Sequence, residues 1–208
     1  MYTVTKLYQS DYRIKGSKFL GYLQQIEHKD DADSFLEWVK DEHPTATHHC
    51  YAWRVNPNKV QEFDQDDGEP GGTAGMPILN ALRSAELINC MMVSVRYYGG
   101  TKLGKSGLID AYGESARLCI QKADRFPVIP IQTYRIVYGY EHQGIIDKLK
   151  NDFTVIELNS EYMENVSLVI GVPKVDKARF EGKVESVKHL LDDFEATGQS
   201  YHINKIRS

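Results

Sequence analysis

No stretch of this 208-residue chain approaches the roughly 20 consecutive apolar residues of a membrane-spanning helix. Its opening, MYTVTKLYQSDYRIKG, lacks the apolar core of a secretory signal. Cysteine is scarce. Cys50, Cys90 and Cys119 are widely spaced, odd in number and contain no CxxC pair, which argues against a disulfide framework and against a zinc knuckle. These absences predict a reduced, cytosolic protein with no membrane partner. An excess of positive charge is missing too. Net charge is −4, with 15 basic and 17 acidic residues up to residue 129 and 10 against 12 beyond it, so neither half is a basic arm. A nucleic-acid partner therefore needs a local basic patch, because no global attraction would bring it in. Internal repeats and low-complexity tracts are also lacking. What remains is ordinary globular material: 41% hydrophobic and 26% charged, enough for a sizeable core, over a length that suits two small domains.

Hydrophobic periodicity gives a mixed order of elements. YTVTKLYQ and SKFLGYLQQI read as strands. DADSFLEWVKDEH places Phe35, Leu36 and Val39 at helical spacing and ends at His43-Pro44. THHCYAWRV is a strand closed by the turn NPNK, and FDQDDGEPGGTAG a long acidic, glycine-rich loop. MPILNALRSAE predicts a short helix with Pro77 in its first turn, MMVSVRYY a strand, and GLIDAYGESARLCIQK a central helix. ADRFPVIP reads as a linker between domains at 1–125 and 130–208. Beyond it, QTYRIVYGY, HQGIIDKLKN, FTVIELNSEY, NVSLVIGVP, VDKARFEGKVESVKHLL and TGQSYHI follow the order β-α-β-β-α-β of a ferredoxin-like domain.

YYGGTKLGKSG, residues 97–107, contains the GxxxxGK(S/T) pattern of a nucleotide-binding loop, with Gly99, Gly104, Lys105 and Ser106 in the required places. A strand precedes it and a helix follows, as the motif asks. Three features point away. Val93, Val95 and Tyr97 alternate with Ser94, Arg96 and Tyr98, which predicts one face solvated or partner-facing rather than the continuous apolar run of a parallel, doubly covered strand. No later strand ends in a magnesium-holding aspartate. The remaining chain is not a series of βα units. What survives is the chemistry of the turn: Gly99, Gly100 and Gly104 open the backbone, the following helix offers free N–H groups, and Lys102, Lys105 and Arg96 add positive charge. An anion site and a merely tight turn with solvated lysines both fit.

Asp66, Asp67 and Glu69 sit within four residues of the acidic loop. They suit a hard-metal or general acid/base site, and equally a solvated turn around Asp67-Gly68 and Pro70-Gly71. No fixed ligand set marks a metal site, and no cofactor is implied. Cys50 beside His48 and His49 reads as a buried small residue rather than a nucleophile. Tyr51, Trp53, Tyr97 and Tyr98 flank Arg54 and Arg96 on strands, as in single-strand nucleic-acid platforms, and the face carrying the two arginines is the expected surface. The lysines of VDKARFEGKVESVKHLL alternate with acids and read as a solvated helix face.

DDGEPGGTAGMPIL (66–79) and VRYYGGTKLGKSGLIDAY (95–112), with HHCYAWRV (48–55) and GSKFLGYL (16–23), resemble the YigZ/IMPACT family. The resemblance implies an α+β protein. Its N-terminal domain would be like the second domain of a small-subunit ribosomal protein, and its C-terminal domain like the ferredoxin-like last domain of elongation factor G. The family's loop resembles GGxKLGxGGL, which reassigns the glycines of the nucleotide-loop match to a strand-to-helix turn. Met76 and Asp110 depart from the family pattern, and both remove positive charge beside the proposed surface. The resemblance implies translation regulation or nucleic-acid binding without a settled activity; the role expected is a binding module rather than an enzyme, with RNA, the ribosome or a protein of the translation machinery as partner. The binding residues expected are Arg54, Arg96, Gly99, Gly100, Lys102, Gly104, Lys105 and Ser106, positioned by Asp66, Asp67 and Glu69. A metal- or carboxylate-dependent hydrolase of phosphoesters or peptides is the competing class, and a nucleotide binder a further one.

Overall fold

The structure, a computed structural model, describes residues 1–205. The chain forms two compact units, residues 1–128 and 129–204. The first contains β1 (Tyr2–Thr3), β2 (Tyr8–Ile14), β3 (Ser17–Gln25), α1 (Lys29–Glu42), β4 (His48–Val55), β5 (Gln61–Gln65), α2 (Gly75–Ser84), β6 (Cys90–Tyr97) and α3 (Gly104–Gln121). Strands β2 to β6 make one sheet in the order β2-β3-β6-β4-β5, antiparallel at every pairing.

The central strand β6 explains why helices cover both faces. Its Cys90 and Met92 pack with Cys50, Ala52, Ile78, Leu82, Tyr112 and Ala116 under α2 and α3. Met91, Val93 and Val95 point the other way, with Trp53, Val55 and Val39, under α1. Period-2 side chains of a strand covered twice must be accommodated on both sides. The face expected to be open is therefore closed. Its polar members are paired instead: the hydroxyls of Ser94 and Ser115 lie 2.9 Å apart, and Arg96 finds a carboxylate.

Local signals set the helix ends. The Asp31 carboxylate accepts the N–H groups of Glu27 and His28 at 2.8 and 2.9 Å, closing the start of α1. His43 ends it, its ring held between the hydroxyls of Tyr22 and Tyr97 at 2.5 and 2.9 Å. Pro77 lies in the first turn of α2, where its missing N–H costs nothing.

The second unit contains β7 (Phe126–Tyr138, from its fourth residue), α4 (Gln143–Asp152), β8 (Ile156–Tyr162), β9 (Val166–Pro173), α5 (Lys177–Glu185) and β10 (Asp193–Ile203). Its strand order β10-β7-β9-β8 with the β-α-β-β-α-β sequence is the split βαβ, ferredoxin-like arrangement. Val166, Leu168, Ile170 and Val172 of β9 face Phe180 and Val184 of α5 in the core, and Val187 and Leu191 pack against it beyond the helix end. The protein is thus a two-domain α+β protein, and no helix among the described residues is long and apolar enough to cross a membrane.

Five elements differ from the sequence expectation. The helix expected over VDKARFEGKVESVKHLL ends at Glu185, before Val187 and Leu191. YTVTKLYQ is not one strand; it divides into β1 and the start of β2. The residues EFDQ belong to β5, an edge strand too short and polar to show alternation, anchored by Phe63 against Tyr51 and Trp53. The helix α3 begins at Gly104, inside the glycine loop. The stretch read as a linker starts β7: Pro127 and Pro130 precede Ile131, where pairing with β9 begins, so their missing N–H groups break no bond of that ladder.

Candidate functional site

The loop from β5 to α2 is built on Asp66. Its carboxylate accepts the backbone N–H of Gly72 at 2.7 Å and those of Ala74 and Gly75 at 2.9 Å each, where α2 begins. Burial raises the Asp66 pKa, but the N–H donors of Gly72, Gly75, Ala74 and Thr73 outweigh it and hold the carboxyl below its ordinary range. Asp67 stands at φ +43°. Its carboxylate accepts the His49 N–H at 2.6 Å, and its carbonyl accepts Nδ1–H of His48 at 2.7 Å. A carbonyl only accepts, so this bond fixes the proton on Nδ1 and turns Nε2 toward Glu69, 3.7 Å away.

Glu69 is the buried acid of the loop. Its side chain is 5% exposed, and one oxygen takes both Nη1 of Arg96 at 2.5 Å and the Tyr112 hydroxyl at 2.8 Å. Arg96, equally buried, also donates from Nη2 to Ser17 Oγ at 3.3 Å and lies between the rings of Phe19 and Tyr98. Its Nε has no hydrogen-bond partner among the described residues. A buried N–H left unmade costs about 1–3 kcal/mol, so this arginine is held in place with one donor spare.

The second glycine loop, between β6 and α3, is shaped by two glycines with different reasons. At Gly99 a Cβ would run into the backbone carbonyl of Gly16, so the two chain segments touch only because both lack a side chain. Gly104 stands at φ +75°, the left-handed region that favours glycine, and turns the chain into α3. No side chain caps α3, so its first N–H groups have no side-chain acceptor. Together the two loops border a half-open pocket of about 380 Å³. Glu69 lines it from the acidic loop, Arg96 and Tyr98 from the end of β6, and Lys102, Gly104 and Lys105 from the glycine loop. The lysines are exposed and make no ion pair or side-chain hydrogen bond among the described residues.

The expected residues do not all meet here. Gly99, Gly100 and Ser106 belong to the loop but not to the pocket wall. Arg54 lies opposite Cys90 while Arg96 lies opposite His48, which separates the two arginines by roughly 20 Å along the strand. Arg54 is tied to Glu62 at 2.7 Å and to the Leu87 carbonyl at 2.7 Å. Asp66 and Asp67 support the loop rather than line the pocket, and no three His, Cys, Asp or Glu side chains are grouped to hold a metal ion among the described residues. Burial pushes the thiols of Cys50, Cys90 and Cys119 up, Cys90 to about 12 and Cys119 to about 11, which keeps them protonated. Sequence reasoning missed Tyr112 as the second donor to Glu69, since on a helix of wide apolar arc it reads only as core. It also missed the contact of Gly16 with Gly99, for which no local signal exists. Strand β6 has antiparallel neighbours on both sides, unlike the parallel sheet of nucleotide-hydrolase loops.

A family model described as the Impact N-terminal domain matches residues 15–120, which is 106 of 208 residues and includes both loops. The chain belongs to the IMPACT family. The IMPACT family member of Haemophilus influenzae is 35% identical over 161 residues, covering 76% of this chain and 78% of that protein. The IMPACT family member YigZ of Escherichia coli is 35% identical over 173 residues, covering 82% and 85%. Among solved structures, the crystal structure of a hypothetical protein matches with a TM-score of 0.63 at 29% identity, covering 99% of this chain and 97% of the other. The matches to the Haemophilus influenzae and Escherichia coli proteins, over 161 and 173 residues, are longer than the first unit and so extend into the second.

Proposed function

We propose that this protein is a non-catalytic, translation-associated binding module that grips RNA phosphates, on the ribosome or free, at the pocket between its two glycine loops. The observation that carries this reading is the division of charge at the pocket. The acidic side chains are engaged in holding structure: Asp66 on backbone N–H groups, Asp67 on His49, Glu69 on Arg96 and Tyr112. The unengaged charges are the two lysines beside the uncapped start of α3. Free cations and helix N–H groups at one concave place suit phosphate oxygens. Family membership supports the setting, because resemblance to IMPACT proteins implies a role in translation.

The reading is tested by co-sedimentation with ribosomes and by titration of single-stranded RNA at several salt concentrations. Lys102→Ala/Lys105→Ala should weaken both, most strongly at low salt. Binding unchanged by the double substitution would remove the pocket from the account. A hydrolase would instead show turnover in phosphatase or peptidase assays, with or without divalent metal, and lose it in Asp67→Asn.

A further inference from the structure

Deepening the reading that the pocket binds phosphate, we infer that it selects a terminal phosphomonoester, a phosphate with one ester bond, over the internal phosphodiesters of a nucleic-acid strand. Four observations converge on this. The site is a concave, half-open depression of about 380 Å³, a volume within the range of small-ligand pockets. Its charged wall residues are Arg96, Lys102 and Lys105 against Glu69, three positive and one negative, leaving two positive charges to meet a dianion. A phosphomonoester carries close to that charge at neutral pH, whereas a diester carries one. The third observation is the start of α3, whose first-turn N–H groups have no side-chain cap.

The fourth is Arg96. It is 4% exposed, lines the pocket, and keeps Nε without a partner while its other nitrogens are held by Glu69 and Ser17. A buried guanidinium with one unused N–H is a donor waiting for an acceptor oxygen. Tyr98 covers it, with its ring 5.4 Å from the guanidinium carbon, and is 46% exposed. A ligand reaches Nε as this ring turns aside toward solvent. An end phosphate presents three oxygens inward, to Nε, the lysines and the helix N–H groups, and sends its single substituent out past Tyr98. An internal phosphate carries one charge instead of two and has only two non-bridging oxygens to offer these donors.

The same chemistry is offered by the end of an RNA and by a free mononucleotide, so the test includes both. One fluorescently labelled oligoribonucleotide is compared with a 5′-phosphate, with a 3′-phosphate and with neither. A nucleoside 5′-monophosphate, its nucleoside and inorganic phosphate serve as competitors. The inference predicts about tenfold or greater preference for an end-phosphorylated strand, equivalent to about 1.4 kcal/mol. The preference should be lost in Lys105→Ala and reduced in Arg96→Lys, which keeps the charge but lacks Nε. If only the monophosphate and inorganic phosphate bind, with the same dependence on Lys105, the pocket serves a small phosphomonoester and the inference stands without RNA. Equal, salt-dependent affinity for all three strands overturns the inference while leaving RNA binding intact. Absence of binding by every probe overturns both.

Discussion

Replacing Glu69 with alanine should unfold the first domain far more easily than any surface substitution. The Glu69 and Arg96 side chains are each 5% exposed and joined at 2.5 Å, and the Tyr112 hydroxyl reaches the same carboxylate oxygen. Removing one partner of a buried pair leaves the other charge without compensation, a loss of about 3–5 kcal/mol. At a urea dependence of about 2 kcal/mol per molar, the unfolding midpoint falls by roughly 2 M. Two domains need not unfold together, so the probe matters. Both tryptophans, Trp38 and Trp53, lie in residues 1–128, so tryptophan fluorescence reports that domain alone. Glu69→Gln keeps an acceptor for Tyr112 and Arg96 and should lose less, about 1–3 kcal/mol. Glu69→Ala/Arg96→Met should lose less than the sum of its parts, since the stranded charge is gone. A loss below about 1 kcal/mol for Glu69→Ala, in the range of exposed ion pairs, would show that the pair is solvated and the account of the buried loop wrong.

Three further outcomes follow from the same geometry. The Asp66 carboxyl is held below its ordinary range by the Gly72, Gly75, Ala74 and Thr73 N–H groups, against burial. A depressed folded value means its stabilisation is complete above the unfolded pKa of about 3.9 and is lost as pH falls through the folded one. The stability gap between wild type and Asp66→Asn, read by urea titration, should therefore be wide at neutral pH and close below about pH 4. The His43 pKa is also lowered, by burial with a further contribution from His49, but for a base this disfavours the charged form instead of favouring it. The unfolded chain then takes up the proton first, so wild type loses stability as pH falls below about 6.5, and His43→Gln should show a shallower slope from there downward. Iodoacetamide at pH 8 should leave Cys50, Cys90 and Cys119 unmodified in the native protein and label all three in urea, because each thiol is buried and raised.

Much of the fold was legible in the sequence because it rests on short-range patterns. The alternation of NVSLVIGVP points to the core found in the second domain, and so does the helical spacing of Phe180, Val184, Val187 and Leu191, although the last two pack there from beyond the end of α5. The site was legible in part. Turn chemistry marked both glycine loops, but their meeting at one pocket is a tertiary fact that no local period encodes. The same limit explains Arg96. Alternation with valines on β6 suggested a solvated face, yet α2 and α3 cover it and Glu69, 27 residues away in sequence, neutralises the charge. Arg54 shares that face and goes to Glu62 instead, because the antiparallel register puts it at the far end of the same strand pair. Short polar β5 was illegible for the opposite reason, having too few apolar positions to set a period.

The salt dependence of RNA binding tests the central claim most directly. Each phosphate contact on a single strand contributes about 0.7 to the slope of log Kobs against log salt concentration. If Lys102 and Lys105 hold phosphate oxygens at the pocket, Lys102→Ala/Lys105→Ala should weaken binding at every concentration and flatten that slope, by about 0.7 if they share one phosphate and by about 1.4 if they hold two. A slope identical to that of the wild-type protein would contradict it.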